Sequence, residues 1–403
     1  MTAILYPEQI QARNHYIDRV RPFVGQNIIK VLTGQRRVGK SYLLFQIMQE
    51  IEKSATAQIL YINKEDLAFS FLKTAEDLHR YVVENKSKTG KTAVFIDEIQ
   101  DIENFGSALR SLLLHPYLDL YCTGSNANLL SGDIAGYLSG RYIEIVVYSL
   151  SYTEFLDFHH LESNSQNLDK YIKYGGLPYL KHLPLEENIV FEYLKNIYAT
   201  IVYRDIINRF AVRNTPFLEQ LVLFLAGNTG SIFSSKKISD FLKSQQVKML
   251  PKQVQTYISY LTNAFLIHKV VRYDLIGKRV FEFGDKYYFE NLGIRNGICG
   301  YRLEDRGKLL ENAVYNHLLF KGYKVSVGKL DQLEIDFIAQ KGGETHYFQV
   351  ALTLNAPKTI EREFGNLAAI KDNYPKTVIT FDAFSGNTYG GINAISLEEF
   401  LLS

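Results

Sequence analysis

The chain has 403 residues, more than one ordinary hydrophobic core absorbs, so roughly two to four domains are expected. Its formal net charge of +2 excludes a strongly basic or acidic protein, and any surface for nucleic acid has to be local. Cys122 and Cys299, the only cysteines, offer neither metal-ligand spacing nor a disulfide framework; no leader-like segment or long apolar run is visible, and the expectation is a cytoplasmic protein without a membrane segment.

Asn27–Thr33 reads as a β-branched strand, and Tyr42–Met48 as a helix. Between them stands Gly34-Gln35-Arg36-Arg37-Val38-Gly39-Lys40-Ser41, a complete G-x-x-x-x-G-K-[ST] loop. Its glycines let the backbone turn tightly, so that successive N–H groups converge on phosphate oxygens. Lys40 is then the cation for the β- and γ-phosphates, and Ser41 a hydroxyl ligand for Mg²⁺. The expected nucleotide contacts are residues 34–41 together with Tyr42, and the expected cofactors are ATP and Mg²⁺.

A second strand is Gln58–Asn63, and a third is Ala93–Ile96, which ends in Asp97-Glu98-Ile99-Gln100. An apolar strand closing on two carboxylates downstream of such a loop reads as the acidic half of the site. Asp97 would hold the Mg²⁺ shell, and Glu98 would polarise the attacking water. Leu118–Asn126 reads as a further strand with small polar groups at its carboxyl end. Ser125 or Asn126 would sense the γ-phosphate or the lytic water there, as against a plain turn. Arg141, in Leu138-Ser139-Gly140-Arg141, is a candidate charge for the γ-phosphate, in cis or from a neighbouring subunit, as against a surface arginine.

The phosphate loop with its double arginine, the Phe95–Gln100 strand end, Thr123-Gly124-Ser125, Leu138–Arg141 and the later Gly175-Gly176-Leu177-Pro178 together resemble prokaryotic AAA+-like ATPases. These carry an AAA-type domain followed by a C-terminal domain of unknown function. The resemblance implies an ATP-hydrolysing core of AAA+ type over residues 1–150.

Residues 151–212 look helical, through Tyr152–Phe158 and then 186–210 with Ile189, Tyr193, Ile197 and Ile201 at fours, the position of an AAA+ helical lid. Arg204 and Arg209 either approach a nucleotide or sit on a solvated face. Residues 213–300 read as a winged helix-turn-helix. Phe217–Ala226 is an apolar helix, Lys236–Leu242 a short one capped by Ser234 or Ser235, and the helix from Pro251 buries Val254, Ile258, Leu261 and Phe265. Leu266–Tyr273 and Arg279–Phe283 are expected to pair as a hairpin, with Lys278 and Arg279 at the wing tip. Lys252, Gln253, Gln255, Thr256 and Ser259 would face outward. Double-stranded DNA through 235–280 is one partner reading, and a lid or protein-docking module is the other.

Residues 305–403 begin with an amphipathic helix over Lys308–Leu318, followed by strands Tyr323–Val327, Leu333–Ala339 and Thr345–Ala351. This order resembles the restriction-endonuclease-like core. The resemblance assigns Glu311, Asp336 and Gln349 to a Mg²⁺ site and puts Ala351 where a lysine belongs. Lys358 and Lys371, downstream in sequence, are the candidates for a lysine supplied from elsewhere. Without an ammonium the developing phosphate charge is unmatched, so the domain reads as a nuclease-derived fold that does not cut. The fold class is α/β throughout: a P-loop parallel sheet, a helical lid, a winged helix and a small nuclease-like domain. Three functions compete. The first is an ATPase coupling hydrolysis to binding of DNA or a protein partner, the second a slowly turning nucleotide-gated interaction module, and the third an ATP-dependent nuclease, which Ala351 disfavours. Oligomeric state is left open.

Overall fold

The structure is a computed structural model describing residues 6–54, 57–129, 136, 138, 140–244, 249–280, 284–381 and 388–403. The chain divides into two compact units, Met1–Tyr148 with Asn263–Phe265, and Ser149–Thr262 with Leu266–Ser403.

In the first unit the elements run α1 (Asn14–Val20), β1 (Ile29–Thr33), α2 (Lys40–Lys53), β2 (Ala57–Asn63), α3 (Ala75–Asn85), β3 (Lys91–Asp97), α4 (Phe105–Leu112), β4 (Leu118–Gly124) and β5 (Tyr142–Val146). All five strands are parallel, in the order β2-β3-β4-β1-β5. β1 and β4 are buried along their whole length, as near-continuous apolar runs in a parallel sheet should be. Ile29, Val31, Val94, Ile96, Leu120 and Cys122 pack with Leu78 and Val82 of α3 and Leu109 and Leu112 of α4. A capping box between Thr74 and Asp77 starts α3. Chain order does not reveal that β4 inserts between β1 and β3. That insertion sets the end of β4 between the phosphate loop and the carboxylates that close β3. The short segment Asn263–Phe265 belongs to this unit: Ala127 N–H donates to Asn263 O and Gln35 Nε2 to Phe265 O, each at 2.8 Å.

The second unit opens with α5 (Tyr152–His159), α6 (Ser165–Tyr174) and α7 (Glu187–Thr200). The helix expected over 186–210 continues from α7 as a π-helix, Ile201–Asn208, rather than as regular α-helix. The Gly175-Gly176 pair has a packing cause. A Cβ on Gly175 would lie 2.5 Å from Asn291 Oδ1, and one on Gly176 would lie 2.4 Å from Leu150 O.

Next come α8 (Thr215–Gly227), α9 (Ser235–Ser244), α10 (Pro251–Asn263), and strands β6 (Ile267–Val270), β7 (Arg272–Asp274), β8 (Arg279–Val280) and β9 (Lys286–Phe289). Three helices and then strands follow the order expected from the sequence. The hairpin differs from the expected one. β7 and β8 form a short pair, while β6 pairs with β9. Every residue of β9 is buried, so it lacks the alternation by which a strand is recognised. Of the expected second strand, residues 281–283 lie outside the described residues, as do 245–248 within the candidate DNA-binding span.

The chain closes with α11 (Leu292–Cys299), α12 (Arg306–Phe320), β10 (Lys324–Leu330), β11 (Leu333–Lys341), β12 (Glu344–Ala351), α13 (Pro357–Ala368), β13 (Lys376–Thr380), β14 (Thr388–Tyr389), β15 (Ile392–Ser396) and α14 (Leu397–Leu402). An eight-stranded mixed sheet runs β14-β15-β13-β12-β11-β10-β7-β8, so the β7–β8 pair extends the C-terminal sheet. Gly342 and Gly343, at φ 60° and 87°, form the two-residue turn between β11 and β12. No helix among the described residues is long and apolar enough to cross a membrane.

Candidate nucleotide site and the C-terminal carboxylates

Because the sheet of the first unit is parallel, the carboxyl ends of β1, β3 and β4 share one edge. The loop that leaves β1 alternates its backbone sign, with Gly34 at φ 148°, Arg37 at 71° and Gly39 at 96°. Only glycine fits at 34, where a Cβ would lie 2.2 Å from Val147 O. Lys40 is buried, and its Nζ donates to the Gly34 and Gln35 carbonyls, each at 3.0 Å, while standing 4.0 Å from Glu98 Oε1. These two carbonyls hold the ammonium inside the loop that it would serve.

Asp97 accepts hydrogen bonds from Ser41, from the Thr123 hydroxyl, and from Tyr61 OH at 3.3 Å. Burial pushes its carboxyl above the usual range, while the Ser41 and Thr123 hydrogen bonds pull it back. Glu98 stands in the left-handed region at φ 57°, ψ 52°. Its N–H donates to Thr123 Oγ1 at 2.9 Å, and its carboxylate accepts from Ser125 Oγ at 3.3 Å and from the Gln100 amide. A non-glycine residue in that conformation costs about 1–3 kcal/mol and persists where its surroundings hold it, as Thr123 does here.

The remaining sequence candidates separate. Ser125 joins the cluster. Asn126 turns its side-chain oxygen onto the Asn128 N–H at 2.9 Å, capping the turn after β4. Gln35 and Val38 are fully buried, and Arg36 is buried with its guanidinium 3.2 Å from Glu65 Oε1. Arg37 and Tyr42 point outward. Arg141 does not join the cluster. It precedes β5, and its carbonyl accepts from the Ile29 N–H, at the amino end of β1. The loop leaves the carboxyl end of β1, five residues and about 16 Å away at the usual strand rise. A role in cis is therefore out of reach, and Ser139 beside it lies outside the described residues.

Three side chains were not anticipated as parts of this site. Thr123 serves both acids, and a threonine inside an apolar strand gives little signal. Gln100 shields Glu98. Arg13, buried at 3% exposure, donates to Val38 O at 2.9 Å and to Tyr148 O at 3.1 Å, and so supports the loop from behind.

In the second unit Lys252, Gln253, Gln255, Thr256 and Ser259 are all exposed on α10, and Lys278 and Arg279 sit at the β7–β8 turn. Arg209 lies 4.0 Å from the buried Asp205.

Glu311, from α12, and Asp336, from β11, come to one cluster, and Gln349 Oε1 accepts the Asp336 N–H at 3.3 Å. Ala351 lies in an apolar cluster with Leu354 and Phe364, and Lys358 and Lys371 are exposed. The lysine that meets the carboxylates is Lys286, from β9, which the sequence offered no reason to place there. Burial, with Glu311 nearby, pushes Asp336 up to about 8 while Lys286 pulls the other way.

Two family models match the chain: an AAA domain over residues 26–156 and a domain of unknown function (DUF8612) over residues 165–305. An uncharacterized protein of Haemophilus influenzae is 38% identical over 97% of this chain and 98% of its own length. An uncharacterized protein of Methanocaldococcus jannaschii is 29% identical over 88% of this chain and 82% of its own. Among solved structures, the Aeropyrum pernix Orc1 protein in complex with DNA is 11% identical, covers 72% of this chain and 93% of that one, and superposes with a TM-score of 0.32. AMPPCP-bound DnaA of Aquifex aeolicus is 13% identical over 64% of this chain and 89% of that one, with a TM-score of 0.31. Sequence identity over nearly its whole length, together with the AAA-domain match, places the chain in the family of AAA+-like P-loop ATPases that carry a domain of unknown function behind the ATPase core, the family it shares with the Haemophilus influenzae protein.

Proposed function

We propose that this protein is a Mg-ATP hydrolase whose nucleotide state governs binding of DNA or a protein partner. The observation that carries the reading is the convergence of Lys40, Ser41, Asp97 and Glu98 at one sheet edge, beside a loop that turns at Gly34 and Gly39, both at positive φ. The N–H groups of residues 34–41 cradle the phosphates, and Lys40 exchanges its two carbonyl partners for phosphate oxygens. Ser41 and Asp97 supply the hard oxygen ligands suited to Mg²⁺. When bound, the ion neutralises charge on the phosphates. Glu98 accepts the proton of the attacking water, and Ser125 orients that carboxylate. Arg141 serves a neighbouring copy.

The partner surface of this proposal is the exposed face of α10 with Lys278 and Arg279. Lys252→Ala and Lys278→Ala should each flatten the salt dependence of DNA binding by about one unit of slope per lost phosphate contact. If neither changes it, the module serves as a lid or docks a protein. A second reading, a slowly turning nucleotide-gated switch, is favoured by Gln100, whose amide occupies the Glu98 carboxylate. The deciding experiment is steady-state ATP hydrolysis by wild type, Lys40→Ala and Glu98→Gln, with duplex DNA, single-stranded DNA and RNA at low and physiological salt. Lys40→Ala should abolish turnover, and Glu98→Gln should bind ATP but hydrolyse it about 10²–10⁴-fold more slowly. Wild-type turnover in Lys40→Ala would sink the ATPase assignment.

A further inference from the structure

A helix glutamate beside a strand aspartate is a donor pair suited to a hard divalent ion. In this chain the space among the carboxylates is filled from within. Lys286 Nζ lies 2.6 Å from Glu311 Oε1, 2.8 Å from Glu334 Oε1 and 3.7 Å from Asp336 Oδ1. The Lys286 side chain is 3% exposed, and its strand, β9, is buried at every position. The carboxylate oxygens have other protein donors as well. Tyr288, two residues along the same strand and therefore on the same side, gives its hydroxyl to Glu311, and Asp336 Oδ2 accepts the Val350 N–H at 2.9 Å. Among the described residues no group of three or more His, Cys, Asp or Glu is arranged to hold a metal ion. Mg²⁺ demands near-ideal octahedral oxygen geometry at about 2.1 Å, which carboxylates gathered round an ammonium do not offer. With the Lys286 ammonium in place, the site does not fit the ion.

We infer that the Lys286 ammonium has taken the place of the divalent ion, and that the former metal position now ties β9 to α12 and β11. β9 pairs with β6, at the end of the winged-helix segment, whereas α12 and β11 belong to the nuclease-like core. One buried cation therefore joins the two parts, consistent with their falling in a single compact unit. Ala351 fits the same account. The position where a nuclease lysine is expected is apolar core beside Leu354 and Phe364, so it offers no charge to a phosphate. Lys286 does not act as a relocated nuclease lysine, because three carboxylates already engage it.

The test uses the full-length, nucleotide-free protein. Mn²⁺ is titrated into wild type, Asp336→Asn, Lys286→Met and the Lys286→Met/Asp336→Asn double variant, with bound Mn²⁺ counted by electron paramagnetic resonance. Wild type and Asp336→Asn should bind the same amount, and Lys286→Met should gain one ion per chain that the double variant loses. Plasmid DNA should stay intact with Mg²⁺ or Mn²⁺. Mn²⁺ binding by wild type that Asp336→Asn abolishes would overturn the inference without any Lys286 variant having to fold. DNA cleavage that requires both Asp336 and Lys286 would overturn it in favour of a relocated catalytic lysine. A folded Lys286→Met that gains no ion would also overturn it. If Lys286→Met does not fold while Lys286→Arg does, the tie is supported directly.

Discussion

Thr123→Val isolates the residue on which both acids of the nucleotide site depend. Valine keeps the shape of threonine and removes one hydroxyl, which accepts the Glu98 N–H at 2.9 Å and donates to Asp97. Thr123 is fully buried, so water cannot replace it. An unpaired buried N–H costs about 1–3 kcal/mol, and a lost hydrogen bond to a carboxylate about 1.5–3 kcal/mol. The two share one oxygen and do not simply add, so a loss of about 3 kcal/mol is expected. The kinetic effect should be larger than the stability effect suggests. Glu98 occupies a left-handed backbone at φ 57°, and without the Thr123 contact that strain can relax and carry the carboxylate away. A displacement of about 1 Å is worth about 10²-fold in turnover. Losing the same hydroxyl also raises the Asp97 carboxyl further, since its hydrogen bond holds that group down, and the Mg²⁺ requirement should rise. ATP hydrolysis over a Mg²⁺ series and thermal unfolding of wild type, Thr123→Val and Thr123→Ser provide the measurements. Thr123→Ser keeps the hydroxyl and should remain close to wild type. A Thr123→Val protein with wild-type stability, turnover and Mg²⁺ dependence would refute this account of how the acids are held.

Arg141→Ala should leave ATP binding unchanged and lower turnover only at protein concentrations where copies associate, because the residue is exposed and remote from its own phosphate loop; hydrolysis measured against protein concentration checks this. Gly293→Ala should destabilise the second unit by about 3 kcal/mol, since the new Cβ would lie 1.9 Å from Tyr174 O. Gly297→Ala, on the same helix, meets only an ordinary contact at 3.6 Å and should be tolerated, and paired urea melts separate the two. Burial drives His317 down from 6.5 to about 3, with Lys321 adding to the effect, and neither ring nitrogen has a partner among the described residues. The unfolded chain therefore takes up this proton at higher pH than the folded one, so the contribution to stability is complete above about pH 6.5 and shrinks as pH falls toward 3. Between pH 7 and 4.5 wild type should lose about 3 kcal/mol more than His317→Phe. Equal losses in urea melts at the two pH values would contradict it. His159 and His346, each pushed down to about 4 by burial, leave acid sensitivity in both proteins.

The phosphate loop, the Asp97-Glu98 pair and the strands that carry them are readable in the sequence because their chemistry is local. Two glycines, a lysine and a serine act within eight consecutive residues, and an apolar strand announces the carboxylates at its end. The positions of Thr123 and Arg141 relative to that loop follow instead from strand order. β4 lies between β1 and β3, which brings Thr123 to both acids, and β5 runs parallel to β1, which sends Arg141 to the far edge. Neither arrangement leaves a trace in hydrophobic periodicity, because β1 and β4 are buried along their whole length and an unbroken apolar run does not say which strand lies beside it. Lys286 shows the limit most clearly. Three carboxylates hold its ammonium above its usual range against burial, and they come from positions 25, 48 and 50 residues downstream (311 − 286, 334 − 286 and 336 − 286). A single buried charge is tolerable only where opposite charges converge on it, and that convergence is made by packing β9 against α12 and β11, which only the tertiary structure decides.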